Sequence, residues 1–418
     1  MSLEELEPST PKLSVARVAR AAGVWGPGLL AMLADTDAGN VIAAAQAGAQ
    51  WRYRLLPLLL LLIPMLYLVQ ELTVRVGVHT GRGYGELVRE RFGTAWAAVA
   101  VAGLAAASIG TLITEFTAVA GIGELFGVSR ALTLPLVTVA LLAVTGTGSY
   151  RRFERIALAI GAFELAFFAV AIAARPSLSE MARQATDLPL TNAGFLWIAA
   201  AIIGATFNPW MIFYQQSATV EKRVRTKDLD HARWDTAIGA IVTQLLTGAV
   251  LVSAAAAFGA EANGIELENV GQISDALTPL MGATIGRVVF SMGVLGAALV
   301  AAIVCSLAAA WGVGEAAGYG RSLERQPFRA WWFYALYAAS IAGAGVLVWL
   351  VSDLVWLVVA VQVLNVFLMP YLFALLAVLA ATAVPEHVRL RGVYLGVVVA
   401  VAAVALALGL YGGIAGLL

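Results

Sequence analysis

Long apolar runs alternate with short polar connections from residue 22 to residue 415. A run of about 17–25 apolar residues is the length that crosses a hydrocarbon core as a helix. Such runs fall near 22–48, 55–77, 95–126, 131–148, 156–174, 193–218, 235–259, 284–312, 330–351, 354–382 and 391–415, which makes eleven. Of the 418 residues, 61% are hydrophobic and 12% charged. Soluble domains are nearer 45–50% and about 25%. The expectation is an all-α integral membrane protein. Formal net charge is zero, which gives nucleic acid no footing. The single cysteine, Cys305, lies in an apolar run and excludes an internal disulfide or a cysteine metal cluster. His79, His231 and His387 fall in predicted loops. Neither a nucleophile–base pair nor a phosphate loop is visible, so no enzyme, no cofactor and no obligate protein partner is expected.

Charge distribution sets an orientation. With the N-terminus inside, twenty of the 26 Lys and Arg fall in inner segments. Only Arg52, Arg54, Arg130, Arg175, Arg183 and Arg287 fall outside. Positive residues favour the cytoplasmic side. The chain is therefore expected in the plasma (inner) membrane, N-terminus cytoplasmic and C-terminus extracytoplasmic.

Two runs are broken by polar residues. The first carries Ala34-Asp35-Thr36-Asp37-Ala38-Gly39-Asn40 and the sixth carries Ala205-Thr206-Phe207-Asn208-Pro209-Trp210. A carboxylate at the bilayer centre costs about 3 kcal/mol on the insertion scale. A proline there gives up a helical hydrogen bond. The interrupted spans are five apart, so the two halves insert with opposite topology. That is the pattern of a five-plus-five inverted repeat with its site at the repeat interface. The expected units are a tail at 1–21, a first repeat at 22–175, a second at 193–382, and a last span at 391–418.

Unwinding frees backbone carbonyls, which are hard oxygen ligands. Asp37 adds a charge and Asn40 an amide oxygen, and Gly39 between them tolerates unusual dihedrals. Pro209 frees carbonyls upstream, Ala205 among them, and Asn208 can offer its oxygen across to Asp37 or cap the second half-helix. Together these suit a hard divalent cation. Asp35 is a weaker candidate, open to a vestibule position, and Trp210 is placed to line or gate the path. Thr206, Gln46 and Gln244 read as packing or hydrogen-bonding residues.

The first span with Asp37-Ala38-Gly39-Asn40, Gln70-Glu71-Leu72 to Gly81-Arg82, Glu86 to Glu90, Thr114-Glu115-Phe116 and Gly204-Ala205-Thr206 with Asn208-Pro209 resemble the Nramp family of divalent-metal transporters. The resemblance implies a LeuT-like fold and transport by alternating access. It also implies a site role for Gln362, eight residues before Pro370, with Asn365 on the same helical face. The departures carry more information. Where the family has Met-Pro-His in its sixth span, this chain has Asn208-Pro209-Trp210. A second family histidine falls near Gln215 or Gln216, and an aspartate of the proton route is Leu112, while Glu115 remains. The soft thioether ligand and most titratable groups of the proton route are absent.

The chain is thus similar to the Nramp-related magnesium transporters. The expected cargo is Mg²⁺, with Mn²⁺ also admitted, held by Asp37, Asn40, Ala205, Asn208 and Gln362 without proton coupling. A proton-coupled Mn²⁺/Fe²⁺ symporter is the rival, with Glu115 in its favour. An amino-acid transporter of the same architecture is a minor one, since Asp37 would repel a substrate carboxylate.

Overall fold

The computed structural model describes residues 24–417 except 146–148, 259–266, 268–269, 278–280, 320–329 and 352–354. The expected tail at 1–21 lies outside the described residues. Among those described, all regular structure is helical. The first half holds α1 (Pro27–Asp35), α2 (Ala38–Trp51), α3 (Leu56–Thr80), α4 (Tyr84–Phe92), α5 (Thr94–Leu125), α6 (Arg130–Thr145), α7 (Tyr150–Gly161), α8 (Ala166–Ala173) and the short α9 (Leu178–Gln184). The second holds α10 (Ala193–Thr206), α11 (Pro209–Glu221), α12 (Leu229–Phe258), α13 (Val270–Leu277), α14 (Ala283–Ala317), α15 (Trp331–Leu350), α16 (Val355–Thr382) and α17 (Gly392–Leu417).

Among the described residues, nine helical stretches are long and apolar enough to cross a bilayer. In that count α2 and α3 form one stretch, Ala38–Thr80, and α6 falls short at 16 residues. Helices outrun several of the apolar runs. The fifth run begins near 156, yet α7 begins at Tyr150, because its first turns are amphipathic rather than apolar. Likewise α12 begins at Leu229 rather than 235. Hydropathy marks the lipid-depth part of a helix, and the polar turns beyond it continue on helical propensity and tertiary contacts.

Both expected interruptions are present, and different chemistry makes each. After α1 the chain leaves helical geometry at Thr36, and Asp37 adopts an extended conformation at φ −61°, ψ 169°. Its Oδ1 accepts the backbone N–H of Asn40 at 2.7 Å, capping α2. In the second break Asn208 is extended at φ −74°, ψ 129°. Pro209 dictates this, since its ring disfavours the helical region for the residue before it. Pro209 itself opens α11 at a position where no N–H is needed.

The two discontinuous helices pack at the centre. Helix α12 lies along α1, α2 and α3, α14 lies along α5, and α10 packs between α16 and α17. Close approach depends on small residues. Gly204 of α10 faces the backbone carbonyl of Gln362 on α16 so closely that a Cβ would overlap it. Gly204→Ala is therefore expected to lower stability by about 1–3 kcal/mol through overpacking. Thermal unfolding in detergent would show it as a lower midpoint, and an unchanged midpoint would mean that α16 can retreat freely.

At the end of the bundle where α1 begins, the closure is polar. Lys222, at the C-terminus of α11, donates to both Glu154 oxygens at 2.8 and 2.7 Å and to the Trp25 carbonyl at 2.6 Å. Asp235 of α12 accepts the backbone N–H groups of Gly28 at 2.7 Å and Leu29 at 3.2 Å. These satisfy donors that the first turn of α1 leaves free. The start of α1 is thereby tied to α7, α11 and α12. At the opposite end α9 and the segment just after it are held on the corner between α2 and α3 by Arg52–Glu180 and Arg54–Asp187, each at 2.8 Å.

Candidate metal site

The two breaks meet in a buried polar cluster. Asp35, Asp37, Asn40, Gln362 and Asn365 are fully buried, and Asn208 is 1% exposed. Asn40 Nδ2 donates to the Asp35 carbonyl at 3.0 Å. Asn208 Nδ2 donates to the Ala205 carbonyl at 2.7 Å and to Asp35 Oδ1 at 3.4 Å. Asn365 Nδ2 in turn donates to Asn208 Oδ1 at 2.7 Å and to Gln362 Oε1 at 3.1 Å. From α5, Glu115 Oε2 accepts the Ala38 N–H at 3.1 Å.

Several acceptor oxygens have no partner: Asp35 Oδ2, Asp37 Oδ2, Asn40 Oδ1, Glu115 Oε1 and Asn365 Oδ1. Leaving a buried acceptor unpaired costs about 1–3 kcal/mol, and more when it is charged. An excess of buried oxygens over donors is the electrostatic condition for a cation. Among the described residues, no three His, Cys, Asp or Glu side chains converge on one point. A cation here would complete its shell from amide and backbone oxygens and from water.

All five expected site residues come together, in a different bonding pattern from the one anticipated. Asn208 turns its nitrogen, not its oxygen, toward the first break, and it meets Asp35 rather than Asp37. Its oxygen is held by Asn365. The Ala205 carbonyl is occupied by the Asn208 amide. Gln362 presents Nε2 without a partner, against Gly39, while its oxygen is bonded. Asp35, open to a vestibule position from the sequence, sits inside the site. Trp210 is fully buried. Gln215 and Gln216 bond Thr236 Oγ1 at 2.7 Å and the Arg82 carbonyl at 3.0 Å, and Leu112 is core. Gln244 donates to Thr206, and Gln46 accepts the Leu267 N–H.

Glu164 was not anticipated. It is fully buried in the 3₁₀ turn Ala162–Leu165 between α7 and α8, within electrostatic reach of Asp37, Asp35 and Glu115. The signal was available, since Glu164 is the one carboxylate inside the apolar run at 156–174.

Two opposed helix breaks enclosing unpaired oxygens at the middle of an all-helical membrane bundle define a transporter built on discontinuous helices. The family described as "Natural resistance-associated macrophage protein-like" (Nramp) matches residues 28–415. The chain belongs to the Nramp family. It is 30% identical over 316 residues to the protein named "Divalent metal cation transporter MntH" of Bradyrhizobium diazoefficiens, covering 69% of this chain and 68% of that one. The fold is similar to that of the Eremococcus coleocola manganese transporter, with TM-score 0.77 and 16% identity over 98% of this chain and 90% of that one. It is also similar to MhsT solved with L-phenylalanine, with TM-score 0.51 and 14% identity over 90% of this chain and 98% of that one. The architecture is LeuT-like.

Proposed function

We propose that this chain carries hard divalent cations, Mg²⁺ ahead of Mn²⁺, across the plasma membrane by alternating access and without proton coupling. It belongs with the Nramp-related magnesium transporters. It crosses the membrane eleven times as a five-plus-five inverted repeat (22–175 and 193–382) followed by a last span, with the N-terminus cytoplasmic and the C-terminus extracytoplasmic. Asp37, Asn40, Ala205, Asn208 and Gln362 hold the ion, joined by Asp35 and Asn365. The names of the MntH and manganese-transporter relatives support divalent-cation transport as the class.

One observation carries the choice of cation: Asn208 stands at the second break with its amide locked between Asp35, Ala205 and Asn365. Every group in that circle that can coordinate a metal does so through oxygen. Hard oxygen donors suit Mg²⁺, which gives up its waters reluctantly and keeps several. The Asn208 amide hydrogens now bridge two oxygens, and turning that amide over releases both along with its own. Charge movement supplies the drive. Two charges crossing 100 mV, inside negative, release roughly 4.6 kcal/mol.

A proton-coupled Mn²⁺/Fe²⁺ symporter is the second reading, favoured by the unpaired Glu115 Oε1 beside Ala38. Flux into proteoliposomes carrying a lumenal pH dye decides between them. Mg²⁺ uptake with no lumenal acidification is expected, and Asn208→Met is expected to shift preference about tenfold toward Mn²⁺ by adding a soft donor. Mn²⁺-driven acidification with no Mg²⁺ flux would sink the proposal.

A further inference from the structure

Glu164 has no function in the site just described, yet its setting is more demanding than that of most buried carboxylates. Both of its oxygens are buried, and neither makes a close hydrogen bond. The 3₁₀ turn that carries it packs on α14, where a Cβ on Gly296 would lie 2.9 Å from Phe163 Cβ and 3.3 Å from the Glu164 nitrogen. Its side chain points back toward α1. A Cβ on Gly161 would lie 3.0 Å from Leu33 Cδ1 and 3.5 Å from Glu164 Oε1. The Thr36 hydroxyl, in the first break, is its polar neighbour. That hydroxyl also meets Thr243 Oγ1 at 2.7 Å.

Charge balance extends the point. Asp35, Asp37, Glu115 and Glu164 are all buried around the first break, and each has at least one unpartnered oxygen. The basic side chains inside the bundle are engaged elsewhere: Arg75 and Arg233 with Glu71, and Lys222 with Glu154. One divalent ion beside Asp37 balances two of the four carboxylates. An ionised carboxylate left buried without a counter-charge is too costly to persist. The acids do not converge on a single point. The compensation is a proton or a second cation, and a cation at Glu164 would lie apart from one at Asp37.

We propose that Glu164, with the Thr36 hydroxyl, forms a second position for the divalent cation, on the α7–α8 side of the first break. The ion there would be anchored by one carboxylate and completed by the hydroxyl and water. The position would be weaker than the one at Asp37. It is a station that the ion occupies on its way past the unwound segment, and it rests on the reading of the chain as a divalent-cation carrier.

The test counts ions. Purified full-length protein in lipid nanodiscs is titrated with Mn²⁺ by calorimetry, and bound Mn²⁺ is counted by electron paramagnetic resonance. Two ions per chain are expected, at affinities at least about tenfold apart. Glu164→Gln should remove the weaker ion and leave the tighter within about twofold. Thr36→Val, which introduces no new polar group, should weaken the second ion and serves if the glutamine variant does not stay monodisperse. Asp37→Asn separates the two readings: loss of only the tighter ion supports both, whereas retention of both ions would overturn the assignment of Asp37 while leaving Glu164 standing. One ion per chain in the parent protein overturns the second position. So does a Glu164→Gln variant that weakens the tighter ion, or one whose only effect is an altered proton flux.

Discussion

Asp37→Ala is expected to abolish transport and to weaken Mg²⁺ and Mn²⁺ binding at least about a hundredfold, a loss of roughly 2.8 kcal/mol or more at 1.4 kcal/mol per tenfold. The residue has two jobs, and they can be separated. Its Oδ1 caps α2 through the Asn40 N–H, while Oδ2 is unpaired and faces the site. Alanine removes both. Asparagine caps a helix about as well as aspartate, so Asp37→Asn keeps the first job and loses the formal charge. Calorimetry should find tight binding lost in both variants. Thermal unfolding should find only the alanine variant destabilised, by about 1 kcal/mol for the missing cap. Tight binding that survives Asp37→Asn would show that the negative charge is not what holds the ion.

The second large effect is at the far end of α1. Lys222→Met is expected to destabilise the closed protein by about 3–5 kcal/mol, because it leaves Glu154 as an uncompensated buried charge. The pair is enclosed, with side-chain exposures of 5% for Lys222 and 7% for Glu154. Removing both partners is far milder than removing one. The double variant Lys222→Met, Glu154→Leu should therefore recover most of the loss. The same pair anchors Trp25 at the start of α1, so the single variant should also expose that end. A cysteine-reactive probe on Trp25→Cys would read this as faster labelling. If single and double variants melt alike, the ion pair is not what keeps this end shut.

The course of the chain was legible in its apolar runs, and both breaks fell where Asp37 and Pro209 predict. The ends of the helices were not legible, because turns such as Tyr150–Arg155 are polar on one face and drop out of any apolar run. Asp37, Asn40, Asn208 and Gln362 were readable as polar residues at membrane depth. What the amides do there was not. An asparagine can present oxygen or nitrogen, and the choice at Asn208 is made by Asn365 and Asp35, which are 157 and 173 residues away. Glu164 was missed for a related reason. Its significance lies in what surrounds it, namely Thr36 and two aspartates from another helix, and a linear sequence does not show that neighbourhood.

The two breaks also differ in permanence. Pro209 has no N–H to give and disfavours a helical residue before it, so the break at Asn208 is written into the covalent chain. The other junction has no such covalent bar. Ala38 is a strong helix former with an N–H of its own, and that N–H is diverted to Glu115. One joint is cut into the polymer, while the other rests on two carboxylates, Asp37 beside it and Glu115 on a different helix. The two joints are therefore unequal: one is set by a proline within its own stretch of chain, the other by side chains that take up its free N–H groups.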